Sequence, residues 1–274
     1  MLATALIVFR EVIEAALVIS IVMAASRGVA ARSWWIWSGV GGGLIGACVV
    51  AGFADTLAEA ASGVGQDLFN AAVLFTAVAM LGWHNIWMQR HGRELAQAMS
   101  QVGKAVLSGD RPLYALAVVV GLAVLREGSE VVLFLYGIAS ADGSHTGSML
   151  TGGVVGISLG TAVGLAMYYG LLRIPTRYLF KVTSWLILFL AAGLASQGAA
   201  YLVQADLLPP LGHEVWNTSN WLSEDSLIGQ VLHTLLGYVS RPDGVQILFY
   251  LATLATIASL MRVFGDRPAR PAGH

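Results

Sequence analysis

A single cysteine, Cys48, excludes an intrachain disulfide anywhere in the 274 residues, and its apolar surroundings say nothing of redox compartment. Charge is equally scarce. Charged residues make up 11% of the chain, where a soluble domain carries about 25%, and 57% are hydrophobic. A water-facing globular surface is therefore excluded, and a polytopic membrane protein is expected. The net charge of −1 selects no partner by itself, and no nucleic-acid partner is expected. The N-terminus lacks the basic region that opens a signal peptide. Arg10, Glu11 and Glu14 stand where such a peptide would be purely apolar, so this stretch reads as a retained first span. No Glu-x-x-His pair occurs, which removes the ligand pattern of the di-iron bundles and argues against an intramembrane metalloenzyme.

What is present is a set of apolar runs long enough to cross a bilayer, which takes about 20 residues each. Seven are expected, at roughly 2–26, 34–58, 67–89, 112–140, 148–172, 178–204 and 245–263. The charged stretch 90–111 reads as an interfacial helix or loop. The long connection 205–244 reads as a partly folded extramembrane or re-entrant piece. With the N-terminus outside, every basic residue except Arg10, Arg126 and Arg241 falls on the inner side, a positive-inside pattern with the C-terminus inside. Of the acids outside the apolar runs, only Glu94, Asp110 and Asp266 fall inside. An acidic outer face would concentrate cations, although acids that merely avoid the inner leaflet give the same pattern.

Two of the spans carry the same charged motif. Arg10-Glu11-Val12-Ile13-Glu14 and Arg126-Glu127-Gly128-Ser129-Glu130 share the pattern R-E-x-x-E, each in mid-run. Charges at that depth are expensive and mark ion paths, proton relays or substrate sites. At about 100° per residue, Glu11 lies near 100° and Glu14 near 40° from Arg10, so the three occupy one sector of the helix. Such a sector must face protein or water.

The similarity extends along the chain. Leu6–Glu11 aligns with Leu122–Glu127, a glycine stripe follows in both halves, with Gly39, Gly42 and Gly46 matched to Gly153, Gly156 and Gly160, and Leu68-Phe69 matches Leu179-Phe180. Each unit holds three spans, an odd number, so the second copy enters the membrane inverted, with the site near the midplane between the halves. The expected fold is an all-α polytopic membrane protein of seven transmembrane helices: two inverted three-helix repeats plus one C-terminal helix. Its parts are the first repeat (1–91), a cytoplasmic connecting segment (92–111), the second repeat (112–204), an extracytoplasmic segment (205–244), and the seventh helix with a short cytoplasmic tail (245–274).

Facing sectors would form a chamber of four carboxylates, Glu11, Glu14, Glu127 and Glu130, with Arg10 and Arg126 orienting them and offsetting charge. Oxygen ligation suits hard cations. Neither motif contains histidine or cysteine, which argues against a soft-metal site. Four carboxylates against two guanidiniums leave a formal −2, so some glutamates are expected to stay protonated until metal arrives and displaces the protons. The competing structural reading makes Arg10–Glu14 and Arg126–Glu130 buried ion pairs that pin helices. That leaves Glu11 and Glu127 uncompensated, at about 2.5–3.5 kcal/mol each.

Other candidates carry less. His84 and Asn85 near the inner end of the third span could pause an exiting ion. Their repeat counterparts are Ala195 and Ser196, and packing or hydrogen bonding is the commoner role of such a histidine. Met80 and Met88 suit packing, and Ser129 and Gln197 suit interhelical hydrogen bonds. His213, Glu214, Glu224, Asp225 and His233 could capture metal or dock a partner, and a solvated acidic surface explains them equally.

The doubled R-E-x-x-E motif, the seven spans and the stretch Trp216-Asn217-Thr218-Ser219 through Gly237-Tyr238 to Arg241-Pro242 resemble the oxidase-dependent iron permease family, its bacterial branch above all, over residues 1–262. The resemblance implies a transporter rather than an enzyme, with no resident cofactor, that imports iron across the cell inner membrane. It implies iron ligation by Glu11, Glu14, Glu127 and Glu130. It further implies iron(III) as the permeating form, supplied with the help of an extracytoplasmic iron-binding protein and a haem peroxidase or oxidase. A proton-coupled carrier for another divalent metal is the nearest alternative.

Overall fold

The computed structural model describes residues 1–61, 65–142, 146–169, 176–224 and 226–265. The described residues form helices α1 (Leu2–Ala25), α2 (Arg32–Ala61), α3 (Gln66–Leu107), α4 (Tyr114–Asp142), α5 (Thr146–Tyr168), α6 (Thr176–Gln204), α7 (Leu227–Leu236) and α8 (Gly244–Gly265). No strand occurs among them. Asp225, Arg173, Arg267 and Arg270 lie outside the described residues.

Five helices contain stretches long and apolar enough to cross a membrane: α2, the first part of α3, α5, most of α6, and α8. Helices α1 and α4 are 24 and 29 residues long, and each carries three charged side chains at its centre. Apolar side chains such as Ile45, Val49, Leu150 and Val154 point outward, where lipid rather than water would cover them. Trp34 and Trp37, beside Arg32, are exposed at the start of α2, as an interfacial aromatic belt requires.

One element departs from expectation. Helix α3 does not end at the membrane boundary but runs unbroken through the charged stretch to Leu107, 42 residues or about 63 Å. Gln, Arg, Glu, Leu, Ala and Met dominate residues 89–107, and all are good helix formers. The run stops at Ser108 and at Gly109, whose φ of +86° is open to glycine without strain. The expected connection 92–111 is thus mostly a continuation of the third helix. Its far end packs on the C-terminal half of α1 and the N-terminal half of α4, where Val106 and Met99 join Val18, Val22, Val120 and Val124.

Packing pairs the helices crosswise. Helix α2 lies mainly against α4, and α5 mainly against α1. The seams rest on small residues, because a side chain would strike backbone. A Cβ on Gly43 would stand 2.7 Å from Gly121 O and Val124 Cβ and 3.0 Å from Leu125 N. One on Gly156 would stand 2.7 Å from Ala5 O, 2.8 Å from Val8 Cβ and 3.0 Å from Phe9 N. Ala5, Val8 and Phe9 are the residues that sequence alignment sets against Gly121, Val124 and Leu125. Gly39 meets the Ala117 backbone, and Gly152 the Met1 backbone, in the same way. The matched glycines are therefore Gly39 with Gly152 and Gly43 with Gly156, one residue off the expected register. Gly42 and Gly153 face open space.

Two apolar clusters sandwich the centre. One contains Ile7, Leu74, Leu81, Phe134, Ile138 and Leu188; the other contains Val18, Val22, Ile36, Leu116, Val120 and Val124. Along α1 the order is Ile7, then Val18. Along α4 it is Val120, then Phe134, so the two helices run in opposite directions.

The segment after α6 is irregular apart from α7, which Ser226 caps through Oγ, accepting from Gly229 N at 3.0 Å. Backbone bonds Val215 N to Pro242 O (2.9 Å) and Thr218 N to Ser240 O (3.0 Å) close the segment on itself. Gly193 and Gly237 let α6 and the end of α7 touch.

Candidate metal centre

The layer between the apolar clusters is where the charges sit. Arg10, Glu11, Glu14, His84 and Glu127 are all buried, and Glu130 is 16% exposed. Helix α1 contributes the first motif, α4 the second, and α3 adds His84, because α3 packs on both.

Each motif makes the same internal pair. Arg10 Nε lies 3.0 Å from Glu14 Oε1, and Arg126 Nε lies 3.0 Å from Glu130 Oε1, one helical turn on. The second contact is a hydrogen bond; the first is an ion pair by distance but lacks hydrogen-bond alignment. Arg126 also stacks over Trp87, with its guanidinium carbon 4.2 Å from the ring centroid.

The motifs meet through the remaining glutamates. One ligand atom from each of Glu11, His84, Glu127 and Glu130 lies within 4.8 Å of the other three. Glu14 stands just outside this group. One of its oxygens faces Arg10, and the other lies 3.4 Å from His84 Nε2. His84 Nε2 is also 3.9 Å from Glu11 Oε2, and Nδ1 contacts Glu130 Oε2. Both oxygens of Glu11, Glu127 Oε2, Glu130 Oε2 and both ring nitrogens of His84 are buried without a hydrogen-bond partner. Buried polar atoms are ordinarily hydrogen-bonded; here the groups face one another at ion-pair distance instead.

The expected set is thus gathered in part. Glu11, Glu127 and Glu130 converge, Glu14 is turned toward its arginine, and His84 takes the fourth place. A cavity of about 310 Å³ reaches the group from the side, lined by Met80, Trp83, His84, Trp87, Arg126, Glu130 and Phe134. It exposes the second motif and not the first: the Arg126 side chain is 34% exposed and that of Arg10 2%.

Secondary candidates settle into structural roles. Asn85 donates to Ser184 O at 3.1 Å and ties α3 to α6. Ser129 Oγ donates to Leu125 O at 2.7 Å within its own helix rather than between helices. Gln197 meets His233 of α7 at 3.3 Å. Among the described residues of the connection 205–244, the candidates do not gather into one site: His213 lies near Asp243, Glu214 near Arg241, and Glu224 accepts from Ser240 N.

Apolar helices long enough to cross a bilayer, packed around a buried layer of ionisable side chains, define a multi-pass membrane protein. The model of the Iron permease FTR1 family matches residues 1–264, and the chain belongs to that family. It is similar to the ferrous iron permease EfeU of Escherichia coli O6:H1 (strain CFT073), 31% identical over 245 residues and 87% of each chain. It is also similar to the protein of that name from Yersinia pestis, 29% identical over 252 residues, 91% of this chain and 89% of the relative. No solved structure matches. The chain is a permease, a transporter of iron and not an enzyme.

Proposed function

We propose that the protein imports iron across the cell inner membrane through a midplane site built from Glu11, Glu14, Glu127 and Glu130, with Arg10 and Arg126 holding the outer carboxylates of each motif. The observation that carries this reading is the meeting of Glu11 with Glu127 and Glu130, from helices of opposite direction, between two apolar layers. Uncompensated carboxylates at such depth are tolerated where they serve an ion. In this reading α1–α3 and α4–α6 are inverted three-helix repeats and α8 is the added seventh span. The reciprocal seams of Gly43 and Gly156 support it. The N-terminus lies outside and the C-terminus inside, by the distribution of basic residues.

Family resemblance pointed to iron(III). The relatives carry ferrous iron in their names, and on that ground iron(II) is the species proposed. An extracytoplasmic iron-binding protein is the proposed partner; a haem peroxidase or oxidase, which the resemblance implies, belongs with iron(III) as the carried species, and iron(III) uptake in the test below would restore it. Uptake by proteoliposomes of iron(II), iron(III), manganese(II) and protons tests the proposal. Iron uptake that needs both motifs supports it, and faster manganese uptake favours a carrier for another divalent metal.

A further inference from the structure

We infer that His84 is a nitrogen ligand to the transported ion and the residue that separates iron from magnesium and calcium at this site. Transport of a metal by the glutamates is taken from the proposal above; ligation by His84 is the addition.

The imidazole is 4% exposed and sits at the centre of α3, on the one face shared by α1 and α4. Every polar neighbour it has is a carboxylate: Glu11 and Glu14 at Nε2, Glu130 at Nδ1. None of these approaches has hydrogen-bond alignment, so both nitrogens are buried and held at ion-pair distance by carboxylates. A helix–helix bond of the ordinary kind joins a side chain to a neutral carbonyl, as Asn85 Nδ2 joins Ser184 O, whereas His84 faces carboxylates from α1 and α4. His84 is also the one member of the group that the repeat does not double, since Ala195 and Ser196 stand at the matching positions of α6.

Distance agrees with one ion. Donors on opposite sides of a first-row dication, bonded at about 2.0–2.2 Å, stand about 4.0–4.4 Å apart. Atoms already within 4.8 Å need to close by only a few tenths of an ångström. Chemistry then assigns the consequence. Carboxylate oxygens alone suit magnesium, calcium and manganese, whereas imidazole suits iron, nickel, copper and zinc. Three oxygens and one nitrogen make a borderline site that a first-row transition dication fills best.

Purified protein in detergent, loaded with manganese(II) as a paramagnetic probe, is read by pulsed electron paramagnetic resonance. Hyperfine coupling from one directly bound nitrogen is expected, and it disappears in His84→Gln while manganese stays bound. In proteoliposomes His84→Gln lowers iron(II) uptake about ten- to a hundredfold at low iron. Excess magnesium and calcium, without effect on the native protein, then compete. Bound manganese without nitrogen coupling in the native protein overturns the assignment and leaves the glutamates in place. So does a His84→Gln variant with native selectivity. Manganese that binds equally to native protein and to Glu127→Gln removes the carboxylate site and the assignment together. If His84→Gln and His84→Ala both fail to fold, the native spectrum alone decides.

Discussion

Arg10 and Arg126 hold equivalent partners in unequal surroundings. Each Nε lies 3.0 Å from the glutamate four residues on, yet one side chain is 2% exposed and the other 34%. Removing one member of a buried pair strands the other, at about 3–5 kcal/mol. A pair in contact with water loses about 1 kcal/mol or less. Arg10→Gln is therefore expected to lower the thermal unfolding temperature in detergent well below that of Arg126→Gln. Equal losses would show that the side cavity does not relieve Glu130.

Glu11→Gln and Glu127→Gln are each expected to abolish iron uptake in proteoliposomes while the protein remains monodisperse in detergent. The exchange removes an anionic ligand and keeps the shape. Neither carboxylate is the close partner of its motif arginine at 3.0 Å; the exchange weakens only the longer approaches of Glu11 to His84 (3.9 Å) and Glu127 to Arg126 (4.0 Å). Native transport by either variant would take that residue out of the path.

Shortening is a finer probe than neutralising. Glu→Asp at positions 11, 14, 127 and 130 withdraws each oxygen by about one methylene, more than a coordination shell tolerates. Uptake should fall in all four, least at Glu14, which faces Arg10 and stands outside the closest group. Four fully active aspartate variants would contradict a fixed geometry.

The glycine seams make a prediction independent of iron. Gly43→Ala and Gly156→Ala place a methyl against backbone carbonyls less than 3 Å away and should cost about 1–3 kcal/mol each in thermal stability. Gly42→Ala and Gly153→Ala, in the same two helices, meet open space and should be neutral or gain up to about 1 kcal/mol. The reverse ranking would mean that the helices pair in the other register.

The motif was legible because six charges in two apolar runs break composition so sharply that only a site explains them. The length of α3 was not. Charge marks where a chain leaves lipid, not where a helix ends, and residues 89–107 are both charged and helix-forming. In the sequence His84 is a place where an exiting ion could pause but ranks below packing, because a lone histidine has no period and its partners are more than forty residues away on other helices. The glycine register was ambiguous for a simpler reason. Gly41–Gly43 and Gly152–Gly153 are runs of glycine, so two alignments fit, and only the contacts across the seam distinguish them.

The layers of Ile7, Leu81 and Phe134 on one side of the charges and Val18, Val120 and Val124 on the other have an electrical meaning. Hydrocarbon side chains packed that closely are an insulator, and a bare charge crosses them no more readily than it crosses the bilayer. A resting copy of this protein therefore short-circuits nothing. Proteoliposomes holding the iron-free protein are expected to keep an imposed voltage, and passage to require that the packed helices beside the charges separate.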